Sequence, residues 1–318
     1  MEERKRFKIV IAEPQDFSGA AEKQLLQLGS VTKGPFSGNQ LKAACQDANV
    51  LVLRLGHYID ASFFKDTQLQ FILTPTTGLD HIDLVAAQQK NIEIISLKDK
   101  TGFLEQIPST AEHTWALMLS LLRKITAAHQ DVMKGNWNRD AFKSRNLNAL
   151  NLGILGFGRV GKQIAKYAEA FGMNYRFFDT APELKDHLNS AENLDEMLAQ
   201  SDVLSVHIPL NAQNINFLNT EKLQHLKNGA LLINTSRGEI IDEKAVVNAL
   251  GNGKIAGVAT DVLTDELHPE ERNKSPLLAY ARENETVIIT PHIAGATLDS
   301  MHLTEEFVVG QLLKIVSE

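Results

Sequence analysis

Asn151-Leu-Gly-Ile-Leu-Gly-Phe-Gly-Arg-Val-Gly161 is the stretch that decides how this 318-residue chain is read. Leu152, Ile154 and Leu155 form an apolar run short enough for a buried strand, and Lys162 to Phe171 reads as the helix that follows. Between them Gly156, Gly158 and Gly161 spell G-x-G-x-x-G. The first glycine permits a tight turn, the second lets a pyrophosphate approach the backbone, and the third lets helix and strand pack closely. The N–H groups of Arg159 and Val160 open that helix, where the macrodipole favours an anion. Further on, a second apolar strand, Tyr175 to Phe178, ends in Asp179. A carboxylate there accepts both ribose hydroxyls and repels a 2′-phosphate, so NAD is expected rather than NADP. The competing reading is a glycine-rich turn beside a solvated aspartate. Strand, helix and terminal acid together favour dinucleotide binding.

Composition narrows the class. The length suits one large or two medium domains, and 43% hydrophobic residues is ordinary for a globular protein with a core. A net charge of −7 and a pI near 5.8 argue against nucleic-acid or anionic-membrane partners. Cys45 is the only cysteine, which excludes an internal disulfide and points to a reducing compartment. No apolar signal region precedes Ile9-Val-Ile11, and no segment is long and apolar enough to span a bilayer, so a cytoplasmic protein is expected.

Working outward, two series of short apolar runs alternate with helical patterns, the signature of βαβ units and parallel sheets. The first has strands at Lys8–Ile11, Val50–Leu53, Leu69–Leu73 and Ile92–Ile95, with helices at Gly19–Leu28, Asn39–Ala44 and Asp83–Gln89. The second has strands at Leu152–Leu155, Tyr175–Phe178, Val203–His207, Ala230–Ile233, Ile255–Thr260 and Val287–Ile289. Its helices are expected at Glu192–Gln200, Thr220–Leu226 and Asp242–Leu250. Between the series, Ser109 to Ala128 reads as one long helix opened by a capping box, Ser109-Thr-Ala-Glu112. Its body is apolar on nearly every face, as a helix buried between domains or across a dimer contact would be, and Trp137 fits the same contact. Asp299 to Val316 is a final amphipathic helix, and the charged run Asp265 to Lys274 reads as a solvated loop.

Ligands of parallel α/β sheets sit beyond the carboxyl ends of the strands, which selects a few polar residues from many. Arg237, in Ser236-Arg237-Gly238, leaves one strand and can grip a carboxylate with its donor fork, or else it is a surface arginine in a turn. Asp261 leaves the next, with Glu266 shortly after, and His292 leaves the last beside small residues. The three types suit carbonyl reduction: arginine for the carboxylate, histidine for the proton, glutamate to hold the histidine tautomer.

These residues resemble those of the D-isomer-specific 2-hydroxyacid dehydrogenases, which include phosphoglycerate, D-lactate and glyoxylate/hydroxypyruvate enzymes. The resemblance runs through Thr77-Gly78-Leu-Asp-His-Ile-Asp83, Thr110-Ala-Glu-His113, Gly156 to Gly161, His207-Ile-Pro209, Asn234-Thr-Ser-Arg-Gly238, Asp261 with Glu266, and Thr290-Pro-His-Ile-Ala294. It implies two doubly wound parallel-sheet domains, a Rossmann NAD domain (105–289) inserted into a flavodoxin-like substrate domain (1–104 and 290–318), with the active site in the cleft. Domain closure over substrate would exclude water. It implies an NAD-dependent oxidoreductase acting on a 2-oxoacid and a (D)-2-hydroxyacid. Arg237 would bind the carboxylate, His292 would be the acid/base, and Glu266 would support it. Asp261 would hold the nicotinamide carboxamide. Thr77, Thr110, Phe157, His207, Pro209, Thr235, Ser236 and Gly295 would line the cofactor with the glycine turn and Asp179. Leu55, Gly56 and Gly78 would face substrate, and Arg54 either does so too, through a second anionic group, or is structural. A homodimer through the Ser109–Ala128 region is also implied.

Departures from the family pattern concern the substrate. Leu53-Arg-Leu-Gly-His-Tyr58 lacks the small hydroxyl residues common in phosphoglycerate enzymes, and Leu-His-Pro follows Glu266 where Glu-Pro is usual. The chain stops after its last helix, so a small-molecule regulatory domain is expected to be absent. Glu266 disfavours the formate dehydrogenases, which carry glutamine there. His113 is expected at a helix face or dimer contact, and His81 and His225 in turns or at the surface. No metal cluster stands out. A second class of function, an NAD(H)-sensing binding protein of corepressor type, is disfavoured by the intact Arg237, Glu266 and His292.

Overall fold

The structure, a computed structural model, describes residues 7–317. Its contacts divide the chain into two compact units: the described residues up to Gln106 with those from Ala296 on, and Ile107–Gly295. The chain enters and leaves the second unit once, as an insertion does.

The first unit runs β1 (Phe7–Ile11), α1 (Gly19–Leu28), β2 (Gly29–Lys33), α2 (Gly38–Ala44), β3 (Val50–Val52), β4 (Phe71–Thr74), α3 (Leu84–Gln89), β5 (Glu93–Ser96) and α4 (Thr101–Leu104). The C-terminal helix, Leu298–Ser317, returns to pack beside α1. All five strands pair in parallel in the order β2-β1-β3-β4-β5, the flavodoxin-like arrangement. Its central strand β3 is buried throughout, as a strand covered on both faces must be. Strand β2 is absent from the pattern of apolar runs. It lies at the sheet edge, and Gly29-Ser-Val-Thr-Lys33 offers a single apolar side chain, so only its pairing with β1 defines it.

The second unit runs α5 (Ser109–Leu122), α6 (Ile125–Met133), β6 (Asn151–Leu155), α7 (Arg159–Ala170), β7 (Asn174–Phe178), α8 (Leu194–Gln200) and β8 (Val203–Val206). It continues with α9 (Thr220–His225), β9 (Ala230–Asn234), α10 (Glu243–Gly251), β10 (Ile255–Thr260), α11 (Pro269–Arg272), α12 (Pro276–Ala281) and β11 (Val287–Ile289). Six parallel strands lie in the order β11-β10-β9-β8-β6-β7. Renumbered within the unit this is 2-1-3-4-5-6. An isolated parallel bridge between Ser190 and Phe177 of the edge strand β7 stands where a further strand would give 3-2-1-4-5-6. Side chains alternate between two cores. Leu204, Val206 and Leu232 meet α8, α9, α10 and α12 on one face, whereas Val203, Ile233 and Ala259 meet α5 and α7 on the other. Each fully buried aliphatic side chain stabilises the unit by about 1.5–3 kcal/mol.

Two expectations are corrected. Ser109–Ala128 is not one helix: Lys124 adopts a left-handed φ of 52° between α5 and α6. The Ser144 hydroxyl donates to the Leu122 carbonyl and Lys124 Nζ donates to the Ala141 carbonyl (3.3 Å), so a distant segment closes the helix end. The capping box does not form, because α5 starts one residue earlier with Pro108 at the cap and Ser109 buried inside the first turn. The Asp265–Lys274 run is exposed for most of its length, as expected, but contains the short helix α11. Cys45 is buried, which pushes its thiol up to about 12 and makes it unreactive. Among the described residues no helix is long and apolar enough to cross a membrane.

Candidate functional site

The glycine turn has the geometry its spacing predicts. Gly156 takes φ +91°, a Cβ on Gly161 would lie 2.2 Å from the Gly156 carbonyl oxygen, and a Cβ on Gly158 would meet nothing within 4 Å. The turn is therefore tight and packed on its inner side and open at Gly158, with α7 starting at Arg159. Asp179 stands at the end of β7. One carboxylate oxygen accepts from Phe157 N (2.6 Å) and the other from Ala181 N (2.9 Å), which fixes the acid beside the turn. The Phe157 ring points the other way, stacked on Phe177 at 3.6 Å in the core, so only its backbone belongs to the turn. Arg159 donates to the Ile107 carbonyl (2.7 Å), and burial lowers its pKa. His207 accepts its place from Ser205, whose hydroxyl lies 2.8 Å from Nε2. Burial, and then the Arg159 charge, push its pKa down to about 3, so the imidazole is neutral. An open turn, an acid at the next strand end and an uncharged histidine fit a dinucleotide.

The polar strand ends of β9, β10 and β11 form one hydrogen-bonded cluster. Asn234, fully buried, accepts from Ser236 N (3.0 Å) and Ser236 Oγ (2.6 Å), and its amide donates to the Arg237 carbonyl (2.9 Å). It thereby shapes the turn that presents Arg237, whose own NH1 donates to the Ser236 carbonyl (2.8 Å). Thr235 is tied to α5 through Thr114, hydroxyl to hydroxyl at 2.6 Å, while Thr114 donates to the Thr110 carbonyl.

Asp261, also fully buried, grips the segment after β11. Its carboxylate accepts from the Thr290 hydroxyl (2.5 Å), Ile293 N (2.9 Å) and Ala294 N (2.7 Å), and its carbonyl accepts from His292 N (2.8 Å). This grip holds His292 at φ 54°, a left-handed conformation costly for a side chain with a Cβ. His292 Nδ1 is hydrogen-bonded to Glu266, whose second oxygen accepts from Leu263 N (3.1 Å). Histidine and glutamate are thus brought together from different strands. Among the described residues no cluster suited to a metal ion occurs.

Three features went unread in the sequence. His113 is more than a packing residue: its Nε2 lies 3.0 Å from Thr290 Oγ1 and 3.3 Å from Asp261 Oδ1, linking α5 to the Asp261 grip. Asn234 was visible in the motif but not assigned a place. Glu239 sits near Glu266, and its pKa is raised by burial and further by the charges of Glu266 and Asp265. His81 lies in a turn, as expected, and is buried there, with Nε2 3.3 Å from Thr74 Oγ1. His225 is exposed at the end of α9. Pro209 is exposed, its carbonyl accepting from Asn214, and a Cβ on Gly295 would meet nothing within 4 Å.

Arg54, Leu55, Gly56, Thr77 and Gly78 all lie in the first unit, in the loops leaving β3 and β4. The Arg54 guanidinium is bound to Glu305 and to the Gln15 carbonyl, which favours the structural of its two readings. The Gly56 N–H donates to Glu13 (2.6 Å).

Comparison with known proteins agrees with this geometry. Residues 115–294 match the D-isomer specific 2-hydroxyacid dehydrogenase, NAD binding domain. The chain is 33% identical over 262 residues to a glycerate dehydrogenase of Methylorubrum extorquens, covering 78% of this chain and 79% of that one. It is 31% identical over 315 residues to a D-3-phosphoglycerate dehydrogenase of Methanocaldococcus jannaschii, covering 97% of this chain but only 57% of that relative's length. The fold superposes on the Aquifex aeolicus D-lactate dehydrogenase solved with NAD and lactic acid, with a TM-score of 0.83 at 29% identity, covering 98% and 95% of the two chains. With its fingerprint turn, its Asp261 grip and more than half its length inside the family domain, the chain belongs to the D-isomer-specific 2-hydroxyacid dehydrogenases and carries their NAD-binding domain.

Proposed function

We propose that the protein interconverts a 2-oxoacid and a (D)-2-hydroxyacid with NAD(H). The observation that carries this reading is the hydrogen-bonded His292–Glu266 pair, drawn from the segments after β11 and β10, with Arg237 following the neighbouring strand β9. Bound NADH supplies the hydride. The Arg237 fork takes the substrate carboxylate and draws charge from the carbonyl. With Nδ1 committed to Glu266, His292 holds a proton at Nε2 and passes it to the carbonyl oxygen as the alcohol forms. Glu266 accepts from the Nδ1–H, so the ring left after the transfer is the Nδ1–H tautomer, with Nε2 facing the oxygen to take the proton back in the reverse direction. Asp179 takes the adenosine ribose hydroxyls, the N-terminus of α7 takes the pyrophosphate, and Thr77, Thr110, His207, Pro209, Thr235, Ser236, Asp261 and Gly295 border the cofactor. Leu55, Gly56 and Gly78 border the substrate.

The test is loss of NADH absorbance across glyoxylate, pyruvate, hydroxypyruvate, phosphohydroxypyruvate, 2-oxoglutarate and branched or aromatic 2-oxoacids. Turnover of at least one is expected. Silence across the panel with NADH still bound would favour a sensing protein instead.

We also propose a homodimer through α5, α6 and the segment after them. Ile125, Met133 and Trp137 there are 54%, 68% and 88% exposed, apolar side chains that a subunit contact would cover. Sedimentation should give about twice the 35.2 kDa of one chain. We also propose a cytoplasmic location, which the single cysteine supports.

A further inference from the structure

The five-stranded sheet reverses its strand order at β1, with β2 on one side and β3 on the other. Loops that leave neighbouring strands at such a reversal border the crevice where parallel sheets take ligands. Here those loops are Ala12–Ser18 after β1 and Leu53–Tyr58 after β3. Their charges are already matched internally. The Glu13 carboxylate accepts from Arg54 N and Gly56 N, each at 2.6 Å. Gly56 is what admits it, since a Cβ there would lie 2.6 Å from Glu13 Oε1. Two adjacent N–H donors of this kind form a ready anion cradle, and the chain has filled it with its own acid. The Arg54 guanidinium is spent as well. Its Nε (2.9 Å) and NH2 donate to Glu305, whose side chain is fully buried and also accepts from Ser18 N (2.7 Å), while NH1 donates to the Gln15 carbonyl (2.9 Å). Neither loop contains another lysine or arginine, nor does Pro75–His81 after β4, whereas Asp16 and Asp80 add negative charge.

We infer that this crevice receives an uncharged substituent, so that the substrate is a 2-oxoacid bearing neither a phosphate nor a second carboxylate. The inference rests on the oxidoreductase reading and narrows it. A phosphate arriving here would meet Glu13, and the one lysine or arginine of these three loops, Arg54, is already bound to Glu305; like charges brought together discriminate against a ligand strongly.

Two matched pairs test it on the full chain with saturating NADH at about pH 8, above the ordinary imidazole range. Hydroxypyruvate is compared with its 3-phosphate, and pyruvate with oxaloacetate. The uncharged member should have the higher kcat/KM, by roughly 100-fold or more, and added salt should narrow the gap. Glu13→Gln, which removes the charge but keeps an acceptor, should move the ratio toward the anionic member by about tenfold. Should that variant misfold, the unsubstituted protein still decides the matter. Equal or better use of the phosphorylated or dicarboxylic member would overturn the inference and leave the activity standing. Silence with all four and with the wider panel would defeat the activity, and this inference with it.

Discussion

Replacing His292 with asparagine should lower kcat by roughly 10²–10⁴-fold, the range for loss of a positioned general acid, while the affinity for NADH stays within about twofold. Asparagine is the informative choice for a backbone reason. His292 sits at φ 54°, and asparagine is among the few residues that tolerate this left-handed region. The His292 N–H bond to the Asp261 carbonyl and the Ile293 and Ala294 bonds to the Asp261 carboxylate are all main-chain donors, so they survive the change. The variant therefore keeps the loop and loses only the ionisable ring. The expected loss corresponds to about 2.7–5.4 kcal/mol of transition-state stabilisation at 1.36 kcal/mol per factor of ten. Steady-state kinetics and the quenching of protein fluorescence by NADH separate the two effects. Lost cofactor binding with unchanged turnover of the bound fraction would move His292 out of the proton-transfer role.

The cofactor half of the site was legible because its chemistry is local. Gly156, Gly158, Gly161 and Asp179 occupy one βαβ unit, and their spacing alone constrains where a pyrophosphate and a ribose can lie. Strand positions were legible for a related reason: parallel strands are buried on both faces and read as unbroken apolar runs, as in Val50-Leu-Val52. The edge strand β2, with Val31 as its one apolar residue, escaped because an edge needs pairing rather than hydrophobicity. The end of α5 escaped because no glycine or proline marks it; Ser144 and Ala141, well downstream, supply its partners. The same limit applies to the site. That His292 meets Glu266 was an expectation of residue type, but that His113 on α5 reaches Asp261 depends on a contact across 148 positions, invisible to spacing. The Glu13 carboxylate, bound by the loop after β3, is the sharpest case. A glutamate after the first strand looks like ordinary surface until its hydrogen bonds to Arg54 and Gly56 are seen.

Arg237→Ala should reduce kcat/KM for the favoured 2-oxoacid by about 10²–10⁴-fold and leave NADH binding close to its original value. The magnitude follows from two charge-assisted hydrogen bonds to a carboxylate, each contributing about 1.5–3 kcal/mol, at a partly buried position where water replaces them poorly. The turn should persist, since what shapes it is Asn234, which bonds the Arg237 carbonyl and the Ser236 N–H and hydroxyl, none of them on the deleted side chain. Arg237→Lys separates charge from geometry. Lysine retains the positive charge but offers a point rather than a fork, so it should recover only part of the lost kcat/KM. The division between kcat and KM is informative too. An arginine that only anchors the carboxylate would raise KM with kcat nearly unchanged, whereas one that also polarises the carbonyl would lower kcat as well. The position of Arg237, one residue beyond Ser236 at the carboxyl end of β9 and in the same unit as His292 and Glu266, favours the second pattern. Unchanged kinetics in Arg237→Ala would return it to the other reading its sequence allowed, a surface arginine in a turn.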